Sequence, residues 1–90
     1  MANKRDLKRG ITYICSELFA ECVAASYSNN SDKANVDSLL KGIMHMHSDY
    51  IMRVSHPEPG MQAKAYYRIL IEHFNNDVND IVDQISNTHS

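Results

Sequence analysis

Apolar residues recur every three or four positions in three long stretches of the chain, which is the spacing of an amphipathic helix. The first stripe consists of Leu7, Ile11, Ile14, Leu18, Cys22 and Ala25. The second stripe, which includes one histidine, consists of Val36, Leu40, Ile43, His47, Tyr50 and Val54. The third stripe consists of Ala63, Tyr67, Leu70, Phe74, Val78, Ile81 and Ile85. Together the stripes predict helices over about residues 4–27, 32–55 and 60–86.

Helix-breaking residues separate the three stripes. The sequence YSNNSD follows the first stripe with small polar residues that favour caps and turns, and SHPEPG follows the second with two prolines and a glycine. No stretch alternates with period two over the length of a strand, so no sheet is expected. Three helices joined by short turns pack most simply in an up-down-up antiparallel arrangement. We therefore predict an all-α fold, a three-helix bundle that occupies the 90 residues as one domain.

Composition narrows the class of protein without naming a function. An apolar fraction of 43% and a charged fraction of 22% are typical of a folded domain. The chain contains no apolar run of membrane-spanning length, and the opening MANKRDLKRG lacks the apolar region of a signal peptide. Cys15 and Cys22 lie two helical turns apart, about 10 Å, which is too far for a disulfide between them. We expect reduced thiols, a cytoplasmic protein and no membrane association.

The stretch NKRDLKRGITYICSELFAEC, residues 3–22, resembles the start of small uncharacterised all-helical bacterial proteins. This resemblance covers the first predicted helix alone. It implies a helical fold and implies no activity, cofactor or partner.

The histidines of the segment KGIMHMHSDYIMR invite comparison with a metal site. His45 and His47 are two residues apart on a helix and point in different directions, so they do not converge on one ion. His47 occupies a position in the apolar stripe and is expected to be buried and hydrogen-bonded, with Thr12 or a tyrosine such as Tyr13 or Tyr67 as its partner. Folding the helices back about residues 29 and 57 or 58 places His47 level with about Ile11 or Thr12 on the first helix and with about Arg68 on the third.

Histidine and carboxylate side chains also share a face of the third helix. His73, Asp77 and Asp80 follow one another at steps of four and three. This set keeps open an alternative function, a small ligand- or metal-binding protein or an enzyme that uses these residues or His47. No serine or cysteine nucleophile, glycine-rich phosphate loop or HExxH metal motif accompanies them, so we predict no catalytic residue, metal or cofactor.

Charge and surplus apolar residues favour a protein interaction module. Residues 1–10 carry four cations against one carboxylate, and residues 71–90 carry four carboxylates and no cation. Both clusters oppose the helix macrodipole, and a net charge of −2 argues against nucleic acid as the partner. Six apolar residues outside the stripes are candidates for an interface: Phe19, Val23, Met46, Met52, Ile71 and Val82. The leading hypothesis is a non-catalytic cytoplasmic module that forms an antiparallel homodimer, and a different protein partner remains open.

Overall fold

The computed structural model describes residues 4–27 and 33–88, and these residues form three α-helices with no strand among them. Helix α1 spans Lys4–Ser26, helix α2 spans Lys33–Ser55 and helix α3 spans Ala63–Thr88. The helices pack side by side into a rod with extents of 49 × 19 × 18 Å. The predicted all-α class and the three-helix bundle are confirmed.

The helix bounds agree with the prediction to within two residues, except at the start of α3. The prediction began that helix at residue 60, whereas it begins at Ala63 because Pro59 and Gly60 both belong to the preceding turn. Gly60 has a φ of 87°, in the left-handed region that glycine adopts without steric cost. The predicted first residue of α2, Asp32, lies outside the described residues.

Contacts between the helices define an antiparallel order. Thr12 of α1 meets His47 of α2, whereas Cys22, later in α1, meets the backbone of Val36, earlier in α2. Tyr50 of α2 contacts Asp77 of α3. Val54, which follows Tyr50 in α2, contacts Tyr67, which precedes Asp77 in α3. Chain numbers therefore rise in opposite directions on α1 and α2, and again on α2 and α3.

The core lies on the bundle axis and is formed by residues of all three helices. It consists of Ile11, Cys15, Leu18, Cys22, Ala25, Val36, Leu39, Ile43, Met46, Tyr50, Val54, Leu70, Phe74 and Ile85. Both cysteines are free and buried, as expected, and burial raises the pKa of each thiol. The core thiols are therefore held in their neutral, weakly reactive form.

The buried face of α2 is rotated relative to the predicted stripe. Leu39 and Met46 are buried where the stripe placed Leu40 and His47, which are only half-buried. Met46 is 8% exposed, so its assignment to a surface interface is wrong. The physical reason is that α2 lies between two neighbours, and the side that carries Leu39 and Met46 is the one covered by α3.

The position of α3 along the bundle axis also differs from the predicted one. Tyr50 packs edge-to-face on Phe74 and donates a hydrogen bond to Asp77, so His47, almost one turn earlier, is not level with Arg68. The prediction centred the second turn at residue 57 or 58. The turn actually extends to Gln62, which moves the whole of α3 along the bundle axis.

Candidate functional site

His47 lies at the seam between α1 and α2, where its Nε2 atom is 2.9 Å from the hydroxyl of Thr12. The predicted Thr12 partner is confirmed, although the imidazole is half-buried instead of fully enclosed. Tyr13 was a second candidate partner and is 66% exposed. That assignment is wrong because Tyr13 follows Thr12 by one residue, about 100° around the helix, and faces water.

Beside this hydrogen bond runs a shallow groove of about 250 Å³ between α1 and α2. Its lining, which we call the α1/α2 groove, consists of Thr12, Cys15, Ser16, Phe19, Ile43, Met44 and His47. The rim residues Phe19 and Met44 are exposed, and sequence reasoning missed Met44. Thr12 also borders the cationic surface of Arg5, Lys8, Arg9 and Tyr13. The groove is thus apolar in the middle and positive at one end.

Two neighbouring tyrosines of α3 cap the C-terminal end of α2. Tyr66 and Tyr67 donate hydrogen bonds to the backbone carbonyls of Arg53 at 3.0 Å and of Val54 at 3.2 Å. The last carbonyls of a helix have no partner within the helix, so these hydroxyls satisfy two of them. Tyr67 was predicted to bond His47, but its hydroxyl bonds a backbone carbonyl at the end of α2 instead.

A buried tyrosine anchors α3 to α2 in the middle of the bundle. The hydroxyl of Tyr50 donates to Asp77 at 2.5 Å, and the guanidinium of Arg53 lies 5.0 Å from the centre of the Tyr50 ring. Burial, followed by the hydrogen bond to Asp77, raises the pKa of Tyr50. The phenol therefore remains a hydrogen-bond donor well into the alkaline range. Sequence reasoning placed Tyr50 in the core but did not identify this bond.

The predicted histidine and carboxylate set on α3 is divided between two places. Asp77 and Asp80 border a groove between α2 and α3 together with His45 and Asp49, whereas His73 borders a different depression beside Arg53. Asp49 is engaged by Arg53 at 3.0 Å. Within residues 4–27 and 33–88, no three His, Cys, Asp or Glu side chains are placed to hold a metal ion.

A third surface lies between α1 and α3, the two helices with the least extensive contact. The flank of α3 that carries Asp77 faces α2, so helical geometry turns the opposite flank towards α1. We call this surface the α1/α3 face. By this geometry we assign to it Leu7, Gly10, Ile14, Glu17 and Glu21 from α1 and Lys64, Arg68, Ile71, Asn75, Val78 and Val82 from α3. Ile71 and Val82 are 38% and 39% exposed, and Leu7, Ile14 and Val78 are half-buried.

The six predicted interface residues are therefore dispersed. Ile71 and Val82 lie on the α1/α3 face, whereas Phe19 lies at the α1/α2 groove. Val23 is half-buried on α1, Met52 is exposed on α2, and Met46 belongs to the core.

Comparison of the chain with known protein families, curated proteins and solved structures finds no match. The resemblance of residues 3–22 to small helical bacterial proteins accordingly stays a prediction. None of the helices in the described part of the chain combines the length and apolar character needed to cross a bilayer.

Proposed function

We propose that the chain is a non-catalytic interaction module of the cytoplasm and that its partner is a second copy of itself. The observation that carries the proposal is the row of apolar side chains along the α1/α3 face, of which Ile71 and Val82 expose more than a third of their surface. A row of this kind in the middle of a surface is typical of a protein contact, whereas single exposed apolar residues are common on any protein.

The distribution of charge favours association with a definite orientation. The end of the rod that contains the start of α1, the end of α2 and α3 up to Asn79 has seven cations and five carboxylates among its described residues. The other end has two cations and five carboxylates. Opposite net charges at the two ends favour an antiparallel pair, in which each end meets its complement. The difference in net charge between the two ends is smaller than the sequence suggested, because the displacement of α3 along the bundle axis brings Asp77 to the basic end.

The remaining chemistry gives less support to a ligand or metal site. The grooves beside His47 and Asp77 are shallow and open, and two of the three carboxylates that border the groove with His45 are already engaged, Asp49 by Arg53 and Asp77 by Tyr50. A cytoplasmic location is supported by the two free thiols, since cysteines of exported proteins are commonly paired.

A mass measurement in solution tests the proposal. Sedimentation equilibrium across a range of protein concentrations, at low and at raised salt, is expected to give a dimer at tens of micromolar that persists when the salt is raised. Persistence is expected because apolar burial contributes most of the affinity, and salt screens exposed charges beyond about 8 Å at physiological ionic strength. A monomer under all of these conditions would contradict self-association, and a dimer lost on adding salt would contradict an apolar contact.

A further inference from the structure

We infer that a second copy docks antiparallel on the α1/α3 face. The two-fold axis that relates the copies crosses α1 at the level of Gly10 and α3 midway between Asn76 and Asp77. This inference rests on the proposed self-association and specifies its surface and register. An axis in the plane of the interface and perpendicular to the helices places α3 on the partner's α3 and α1 on the partner's α1. Each contact is then made twice, as two-fold symmetry requires.

The α3 part of the face has the spacing of a coiled-coil seam. Lys64, Arg68, Ile71, Asn75, Val78 and Val82 follow at steps of four, three, four, three and four. Ile71 and Val82 are separated by eleven residues, about 16 Å along the helix. A two-fold axis midway between them brings Ile71 of one protomer against Val82 of the other. The same axis brings Asn75 against Val78, so the half-buried Val78 also gains a neighbour.

The relative level of α1 and α3 follows from contacts that both helices make with α2. Thr12 is level with His47, and Tyr50 is level with Phe74 and Asp77. Since His47 precedes Tyr50 by almost one turn, Thr12 lies level with about residue 78 of α3. The axis placed by the α3 residues therefore crosses α1 between about residues 10 and 11.

The α1 residues of the face match one another about that axis, although they were not used to place it. Leu7 comes opposite Ile14 of the other protomer, so two half-buried apolar side chains meet. Gly10 lies beside the axis, and the space that its side chain would occupy is open, which permits the two α1 helices to approach closely.

Charge identifies a second copy as the occupant. Lys64 and Arg68 lie at one end of the face, and Glu21 lies at the other, so the antiparallel pair brings each cationic end beside the partner's carboxylates. A parallel pair would instead place cations against cations and carboxylates against carboxylates, which opposes association. The face is thus complementary to itself in one orientation.

Disulfide trapping between two variant chains tests both surface and register. Ile71→Cys and Val82→Cys chains are prepared separately, mixed so that subunits exchange, and oxidised gently at tens of micromolar. A disulfide forms only where the Cα atoms come within about 7 Å, so the mixture is expected to give a 71-to-82 cross-link identifiable by mass spectrometry. Cys15 and Cys22 are buried and do not compete. Leu7→Cys mixed with Ile14→Cys tests the α1 contact in the same way.

Each variant alone and a Phe19→Cys chain are the matched controls, because residue 19 is exposed to a similar degree on the α1/α2 groove. They are expected to cross-link at least about 10-fold less than the mixture, since their sulfurs cannot approach in this register. Self-cross-linking of Ile71→Cys would overturn the antiparallel orientation. A wild-type dimer whose variant mixtures remain uncross-linked would overturn this face while leaving self-association intact. A wild-type monomer would overturn both.

Discussion

The two flanks of α3 are stabilised by different interactions. The flank that faces α2 has polar anchors, because Asp77 accepts a hydrogen bond from Tyr50, and Tyr66 and Tyr67 donate to the last carbonyls of α2. The flank that faces α1 has Ile71 and Val82 at its exposed edge instead. Directional bonds fix one flank within the chain. Apolar contact is non-directional and proportional to area, so the second flank gains stability from any surface that covers it.

This difference predicts that the largest effect on self-association comes from a charge at Ile71. Burying an unpaired ammonium is costly, so Ile71→Lys should weaken the dimer by at least about 2 kcal/mol, or roughly 30-fold in Kd. Phe19→Lys is the matched control, since the two side chains are exposed to 38% and 37%. It should change Kd by less than about 3-fold. Sedimentation equilibrium measures both, and a larger effect at Phe19 would transfer the interface to the α1/α2 groove.

The fold was predictable from sequence because three-to-four spacing and the breakers YSNNSD and SHPEPG are local signals. The rotation of α2 was not, because Leu39 and Leu40, like Met46 and His47, are adjacent pairs of which either member can face the core. Only the placement of α1 and α3 on its two sides decides between them. The register of α1 on α2 was predicted well enough to pair Thr12 with His47, because that pair is centred between residues 29 and 30, beside the predicted turn centre at 29.

The candidate site was less predictable because it depends on two helices at once. Helical spacing identified Ile71 and Val82 as surplus apolar residues, but it grouped them with Phe19, which the structure places on another surface. To separate them, one must know which flank of α3 faces α2. The contact of Tyr50 with Asp77, 27 positions apart in the sequence, determines that flank. No local pattern in the sequence contains that information.

The anchored flank of α3 predicts an effect on folding that is separate from association. Tyr50→Phe removes the hydroxyl that bonds Asp77 while leaving the packing on Phe74. The free energy of unfolding should fall by about 1.5 to 3 kcal/mol, the range for a hydrogen bond to a charged group. Urea denaturation measures it best in an Ile71→Lys background, where dissociation does not contribute. An unchanged unfolding free energy there would show that the bond does not anchor α3.

Alkaline pH should loosen the same flank. The raised pKa of Tyr50 means that the folded state holds the phenol proton more tightly than the unfolded state, whose tyrosine pKa is about 10. The stabilisation is fully present below pH of about 10 and is lost as pH rises from there towards the folded-state pKa. Tyr50→Phe should therefore lose less stability than the wild type above that pH. Cys15 and Cys22 contribute in both proteins, so the difference isolates Tyr50, and parallel pH curves would contradict the assignment.

The smallest predicted effect comes from the charges at the ends of the α1/α3 face. Glu17→Lys with Glu21→Lys leaves cations at both ends of the face, and Lys64→Glu with Arg68→Glu leaves carboxylates at both ends. Each double variant should self-associate a few-fold more weakly, because an exposed pair contributes about 0 to 1 kcal/mol.

Mixing the two double variants should restore association as a heterodimer, since each end then meets its opposite. Raised salt should reduce all of these differences. The matched control is Arg5→Glu with Arg9→Glu, which reverses charge at the basic end but beside the α1/α2 groove, and it should weaken association less than either double variant. Failure of the mixture to associate better than either variant alone would mean that the charges do not orient the pair. The cross-links at Ile71 and Val82 would then be the only measure of register.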